Sequence, residues 1–170
     1  MQRPETDEYN PFFNRYISLV PEGDYIELLK TNSQEITDFF SGIPVEKHNY
    51  RYAAGKWSVK DILMHITDTE RVMMYRALCA ARGDSSIVLG NMDEDSYASN
   101  ADVTGRTLES ILSEFNSLRK STEIFFENLR EESTRLRAKT ETHPITARAV
   151  GYILIGHPMH HMRVIKEKYL

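Results

Sequence analysis

Apolar residues recur at alternating three- and four-residue spacing in four separate stretches of this 170-residue chain, and each stretch predicts an amphipathic helix. The first follows Asp24, an N-cap with Glu27 at the third helical position, and runs through Ile26, Leu29, Ser33, Ile36 and Phe40 until Gly42 and Pro44 end it. After a loop from Val45 to Trp57, Ser58 and Asp61 make a capping-box-like start. The second stripe then reads Ile62, His65, Ile66, Thr69, Met73, Arg76 and Ala80, with Gly83 as its stop. The stretch GDSSIVLGNMDEDSYASNADVTGR that follows has no usable periodicity; a connection this long is usually functional or a crossover. Thr107 caps the third stripe, Leu108, Ile111, Phe115, Leu118, Thr122, Phe125 and Leu129. A second irregular stretch, Ser133 to Pro144, leads to Thr146, from which a fourth helix runs to the C-terminus. Nothing alternates with period two for long enough to demand a strand.

Four stripes of this length bury each other most cheaply as an all-α four-helix bundle. The loop before Ser58 reads as short, which makes helices one and two antiparallel neighbours. The long crossover between helices two and three lets helix three begin at the end where helix two began, permitting an up-down-down-up order. Residues 1–170 are read as one domain. Within it, residues 1–23 form an arm, punctuated by Pro4, Pro11 and Pro21, that carries Tyr9, Phe12, Phe13, Tyr16 and Ile17 onto the bundle.

The fourth stripe is interrupted by histidines. At about 100° per residue, Val150, Leu154, His157, His161, Val164 and Lys168 fall on one face, so two imidazoles stand where a bundle helix carries Leu or Ile. His65 occupies the same kind of position in helix two. A polar ring in a core needs a partner, either a neighbouring hydrogen-bonding group or a metal. A His-x-x-x-His pair with one histidine from a facing helix supplies three neutral nitrogen ligands and leaves room for water, as catalytic metal sites do. His160 lies at the edge of the stripe and is expected outside the ligand set, partly exposed. Pro158 removes one backbone hydrogen bond, so the helix either kinks or restarts there; the unbroken phase of the stripe favours a kink.

The remaining chemistry reads more simply. Asp61, Asp68 and Glu70 lie near His65 in sequence and could orient a ligand or act as a base, although charges on a bundle helix are usually solvated. Asp93, Glu94 and Asp95 with Tyr97 could close over a pocket, but read better as a solvated loop. Cys79 reads as core, and His48 and His143 as surface. A carboxylate-bridged di-iron centre would need Glu-x-x-His, which the sequence lacks. With a net charge of −4 and interspersed signs, nothing suggests a nucleic acid or an anionic membrane as partner. A single cysteine and an N-terminus without a basic and apolar leader point to the cytoplasm.

Two segments, KWSVKDILMH ending at His65 and GHPMHH from Gly156 to His161, together with YISLVPEGD from Tyr16 to Asp24, resemble the DinB-like family of metalloenzymes across nearly the whole chain. The resemblance implies the same up-down-down-up bundle, a homodimer, and His65, His157 and His161 as ligands of a divalent transition metal, zinc or nickel foremost. Pro158 departs from the family, which commonly has an acidic residue there. Family members of known activity are thiol-dependent transferases and isomerases, so the resemblance implies a small-molecule substrate, with a low-molecular-weight thiol as co-substrate or hydrolysis as the other chemistry. A non-catalytic metal-binding protein of stress response or interaction is the alternative, and a purely structural bundle with satisfied histidines the third.

Overall fold

The computed structural model describes residues 1–170. A 3-10 turn at Pro11–Phe13 leads into α1 (Asn14–Ile17), followed by α2 (Tyr25–Ser41), α3 (Val59–Ala81), α4 (Glu94–Asn100), α5 (Leu108–Glu127), α6 (Glu131–Thr134) and α7 (Ala147–Lys168). The four long helices are α2, α3, α5 and α7, and a side chain caps each at the expected residue. Asp24 accepts from the Ile26 and Glu27 amides, Ser58 and Asp61 close a full capping box, and Thr107 and Thr146 accept from Ser110 and Ala149. Each such cap stabilises its helix by about 1 kcal/mol relative to Ala.

Two apolar clusters fix the helix directions. One gathers Tyr25 from the start of α2, Ala77 and Ala80 from the end of α3, Phe126 from the end of α5 and Val150 from the start of α7. The other gathers Phe40, Ile62, Ile111 and Ile165 from the opposite helix ends. The order is therefore up-down-down-up. α3 packs between α5 and α7, and so does α2 on the other side. α2 and α3 thus stand diagonally across the bundle, not as the antiparallel neighbours that a short loop predicted. Residues 42–58, with a 3-10 turn at Val45–Lys47, are long enough to cross the bundle end. In that crossing His48 is buried, its Nε2 3.0 Å from the Ile43 carbonyl, rather than on the surface.

Neither irregular stretch is wholly irregular. A small sheet joins them: β1 (Val88–Leu89) runs parallel to β2 (Arg137–Thr140), which pairs antiparallel with β3 (Ile145–Thr146), aligning Val88 with Lys139 and Ala138 with Ile145. Strands of two to four residues are too short to show alternation, yet Leu89, Ala138 and Ile145 are buried in the first apolar cluster. Within α5 the buried face drifts. Leu112, Arg119 and Phe126 are buried while Leu118 and Phe125 are only partly covered, because a straight helix of 3.6 residues per turn slips about 20° per heptad against a 3.5-residue repeat.

The N-terminal arm packs on its own bundle. Tyr9, Tyr16, Ile17 and Val20 are buried, and the Arg3 guanidinium donates to the carbonyls of Ile17 and Val20. Buried Glu8 pairs with Arg148 and accepts from the Thr146 hydroxyl, tying the arm to the start of α7. No helix is long and apolar enough to cross a membrane.

Candidate metal centre and cavity

α3 and α7 lie side by side, and their histidines meet in the middle of the bundle. The His157 Nε2 stands 3.0 Å from the Nε2 of both His65 and His161, and all three side chains offer nitrogens within 4.8 Å of one another. His65 and His157 are buried and His161 is half-buried. His160 lies outside the group, its half-buried ring against Tyr16 and His161. Burial holds the His65 pKa down at about 4 and those of His157 and His161 well below the ordinary imidazole value, so all three rings are neutral at neutral pH.

The donor set fits a cation better than it fits itself. A neutral imidazole nitrogen offers one in-plane position, either a proton or a lone pair, and the His157 Nε2 faces two others. Nitrogens bound about 2.0–2.1 Å from a shared zinc ion stand roughly 3–3.4 Å apart, the range of the two short separations here. His65 Nδ1 is buried without a partner, so it lacks the outer hydrogen bond that ligand histidines commonly make.

Two aromatic residues shape the cluster. The Trp57 ring centre is 4.7 Å from that of His65, and Tyr16 meets His157 edge-on at 5.1 Å. Gly156 makes the second contact possible. A Cβ there would lie 2.1 Å from the Tyr16 carbonyl oxygen, so only glycine lets the α1 backbone cross α7 at this level.

The acidic residues near His65 have other work, and none touches a histidine. Asp61 belongs to the capping box and an ion pair with Arg51, and Asp68 pairs with Arg71. Glu70, expected in solvent, is 1% exposed and pairs through both carboxylate oxygens with Arg119, also 1% exposed. Thr122 donates to Glu70 (2.7 Å), and Arg119 also donates to the Asn32 side chain (3.1 Å) and to the Leu154 carbonyl (3.0 Å). All four long helices thus contribute to one buried polar layer. The last contact explains how α7 runs from Ala147 to Lys168 through Pro158, with neither break nor restart. Leu154 is four residues before Pro158, so its carbonyl is the one the proline leaves without a helical donor, and Arg119 supplies that donor.

A cavity of about 560 Å³ reaches His65 and His157. Its walls are Phe12, Phe13 and Tyr16 from the arm, Thr69, Met73 and Arg76 from α3, and Met92, Asp93 and Glu94 at the start of α4. A smaller one, about 240 Å³, reaches His161 beside Trp57, Tyr52 and Asp95. The acidic run therefore does border the site, folded as a helix N-terminus in which Asp93 accepts from the Ser96 amide; Tyr97 points to solvent. Cys79 is buried as expected, and His143 is half-buried with its ring against the Asp7 carbonyl.

The bundle is similar to YfiT from Bacillus subtilis, described as a probable metal-dependent hydrolase with an unusual four-helix bundle topology: TM-score 0.76 and 14% identity, covering 98% of this chain and 90% of that one. It is also similar to the mycothiol-dependent maleylpyruvate isomerase, at TM-score 0.66 and 10% identity, over 86% of this chain and 61% of the other. No curated protein matches its sequence. The DinB superfamily model matches residues 28–165, a span that contains all three clustered histidines. With that match over most of its length, the chain belongs to the DinB superfamily.

Proposed function

We propose that His65, His157 and His161 hold one divalent transition metal, and that the protein is a metal-dependent enzyme acting on a small molecule in the adjoining cavity. The observation that carries this reading is the convergence of three neutral imidazole nitrogens, two of them from residues that line the larger cavity. A donor set of imidazoles suits zinc, nickel, iron and copper alike, and zinc or nickel is the ion expected here. When bound, such an ion acts as a Lewis acid or lowers the pKa of a coordinated water or thiol.

The chain's own residues do the rest. Trp57 and Tyr16 hold the imidazole planes, Phe12 and Phe13 give the substrate an apolar wall, and the polar layer around Arg119 keeps α7 continuous through Pro158. Transfer or isomerisation that uses a low-molecular-weight thiol leads, because no carboxylate contacts the histidine cluster and a thiolate co-substrate brings its own nucleophile. Hydrolysis is the second reading, favoured by the presence of Asp93 and Glu94 on the cavity wall, since a carboxylate can take a proton from water.

The test is turnover by metal-loaded, tag-free protein against a panel of thiols with electrophiles, and of esters and amides. Thiol-dependent turnover lost in His65→Ala supports the leading reading. Thiol-independent turnover lost in Glu94→Gln supports hydrolysis, and full metal loading without turnover leaves a non-catalytic metal-binding or interaction protein. A homodimer belongs to the same proposal. Of the arm's aromatics Tyr9 and Tyr16 are covered by their own chain, whereas Phe12 is 50% exposed, and light scattering at micromolar concentration measures the dimer.

A further inference from the structure

Arg76 carries a charge that the fold does not neutralise. Three arginines are more than nine-tenths buried: Arg119 pairs with Glu70 and Arg148 with Glu8, but Arg76 has no carboxylate within ion-pair distance. Its guanidinium donates to the Gly90 carbonyl at 2.7 Å and lies 3.8 Å from the Met73 sulfur, which leaves most of its five N–H donors without a strong acceptor. Burial lowers its pKa, and the one carboxylate acting on it, Glu141, is engaged at the surface by the Asn91 side chain. A buried cation without a partner is costly, and proteins retain such groups where function needs them.

Arg76 lines the same cavity as His65 and His157. Residues 65 and 76 are about three turns apart on one face of α3. Helical side chains lean toward the N-terminus, and the Met73 contact shows that Arg76 does so, placing its guanidinium on the order of 10 Å from the histidine cluster. Met73, Ile153 and Phe13 line the same cavity. The cavity therefore combines imidazole, apolar and cationic walls.

We propose that this cavity binds a small organic carboxylate, its carboxylate held by Arg76 and its other end directed at the histidine cluster. The orientation rests on the metal-dependent reading above; the carboxylate subsite does not. A planar guanidinium matches a carboxylate through two parallel hydrogen bonds. Asp93 and Glu94 on the same wall favour this monoanion over a phosphate dianion, which they would repel more strongly.

Titration calorimetry on chelator-treated wild-type protein removes any metal from the comparison. The probes are 4-phenylbutyrate, its neutral amide and 3-phenylpropylphosphonate. The expected result is that the carboxylate binds at least about tenfold more tightly than the amide. Arg76→Gln, which keeps a donor for the Gly90 carbonyl, should lose that preference, and Arg76→Lys should keep part of it. Equal binding of carboxylate and amide, no carboxylate binding at millimolar concentration, or a preference that survives in Arg76→Gln overturns the subsite. Tighter binding of the phosphonate overturns its assignment to carboxylates. Since no arm contains metal, failure here leaves the three-histidine reading standing, and failure of that reading leaves this result interpretable.

Discussion

Arg119 and Pro158 share no hydrogen bond, yet the structure makes their energetic effects depend on each other. The link is the Leu154 carbonyl, denied a helical donor by Pro158 and supplied with one by the Arg119 guanidinium at 3.0 Å. Replacing Glu70 and Arg119 together by Met removes both charges of the buried pair, a change that is often close to neutral when volume is kept. It also strands the carbonyl, which adds a cost of about 1–3 kcal/mol. In that background Pro158→Ala returns a helical N–H to Leu154. In the wild-type background the same change finds the carbonyl already bonded, so it contributes helix propensity alone. Pro158→Ala should therefore stabilise the double variant by about 2 kcal/mol more than it stabilises wild type, the middle of that range. In a chain of this size that is roughly 4–8 °C in Tm. Urea melts of the four metal-free proteins measure the coupling. An effect of Pro158→Ala equal in both backgrounds, within about 0.5 kcal/mol, would refute the reasoning.

Three further outcomes are expected. Arg119→Met alone leaves Glu70 buried without its partner and should cost about 3–5 kcal/mol in a urea melt; a loss below about 1 kcal/mol means that water reaches Glu70. Phe115→Ala, at a fully buried position in the second apolar cluster, should cost about 3–5 kcal/mol in the same assay, and a change of a few tenths would contradict its burial. Gly156→Ala places a methyl group 2.1 Å from the Tyr16 carbonyl oxygen, so limited proteolysis should cut the displaced arm within residues 1–23 faster than in wild type; unchanged protection would mean that α1 does not cross α7 there.

The bundle was legible because its stripes are long and its caps chemically explicit: Asp24, Ser58, Thr107 and Thr146 each sit one residue before an apolar period. The three histidines were legible for the same reason, as polar residues in apolar positions. That logic, followed further, would have found the buried pair as well. Glu70 continues the spacing Ile66, Glu70, Met73, Ala77, and Arg119 continues Leu112, Phe115, Arg119, Thr122, Phe126, so each lies on a core stripe. Glu70 read as solvated and Arg119 drew no reading, because their partnership spans 49 positions and two helices, and no local pattern pairs them. Arg76 also lay in a stripe, but its lack of a counter-charge is a property of three dimensions alone. The diagonal placement of α2 and α3 depends on how residues 42–58 cross the bundle end, and the sheet depends on backbone pairing between strands too short to have a period.

The most direct test of the central claim is elemental analysis of tag-free protein. About one equivalent of zinc or nickel per chain is predicted, with occupancy lost in His161→Ala and largely kept in His160→Ala. Wild-type protein that takes up no divalent metal on reconstitution, or a reversed order of the two variants, would contradict the three-histidine site.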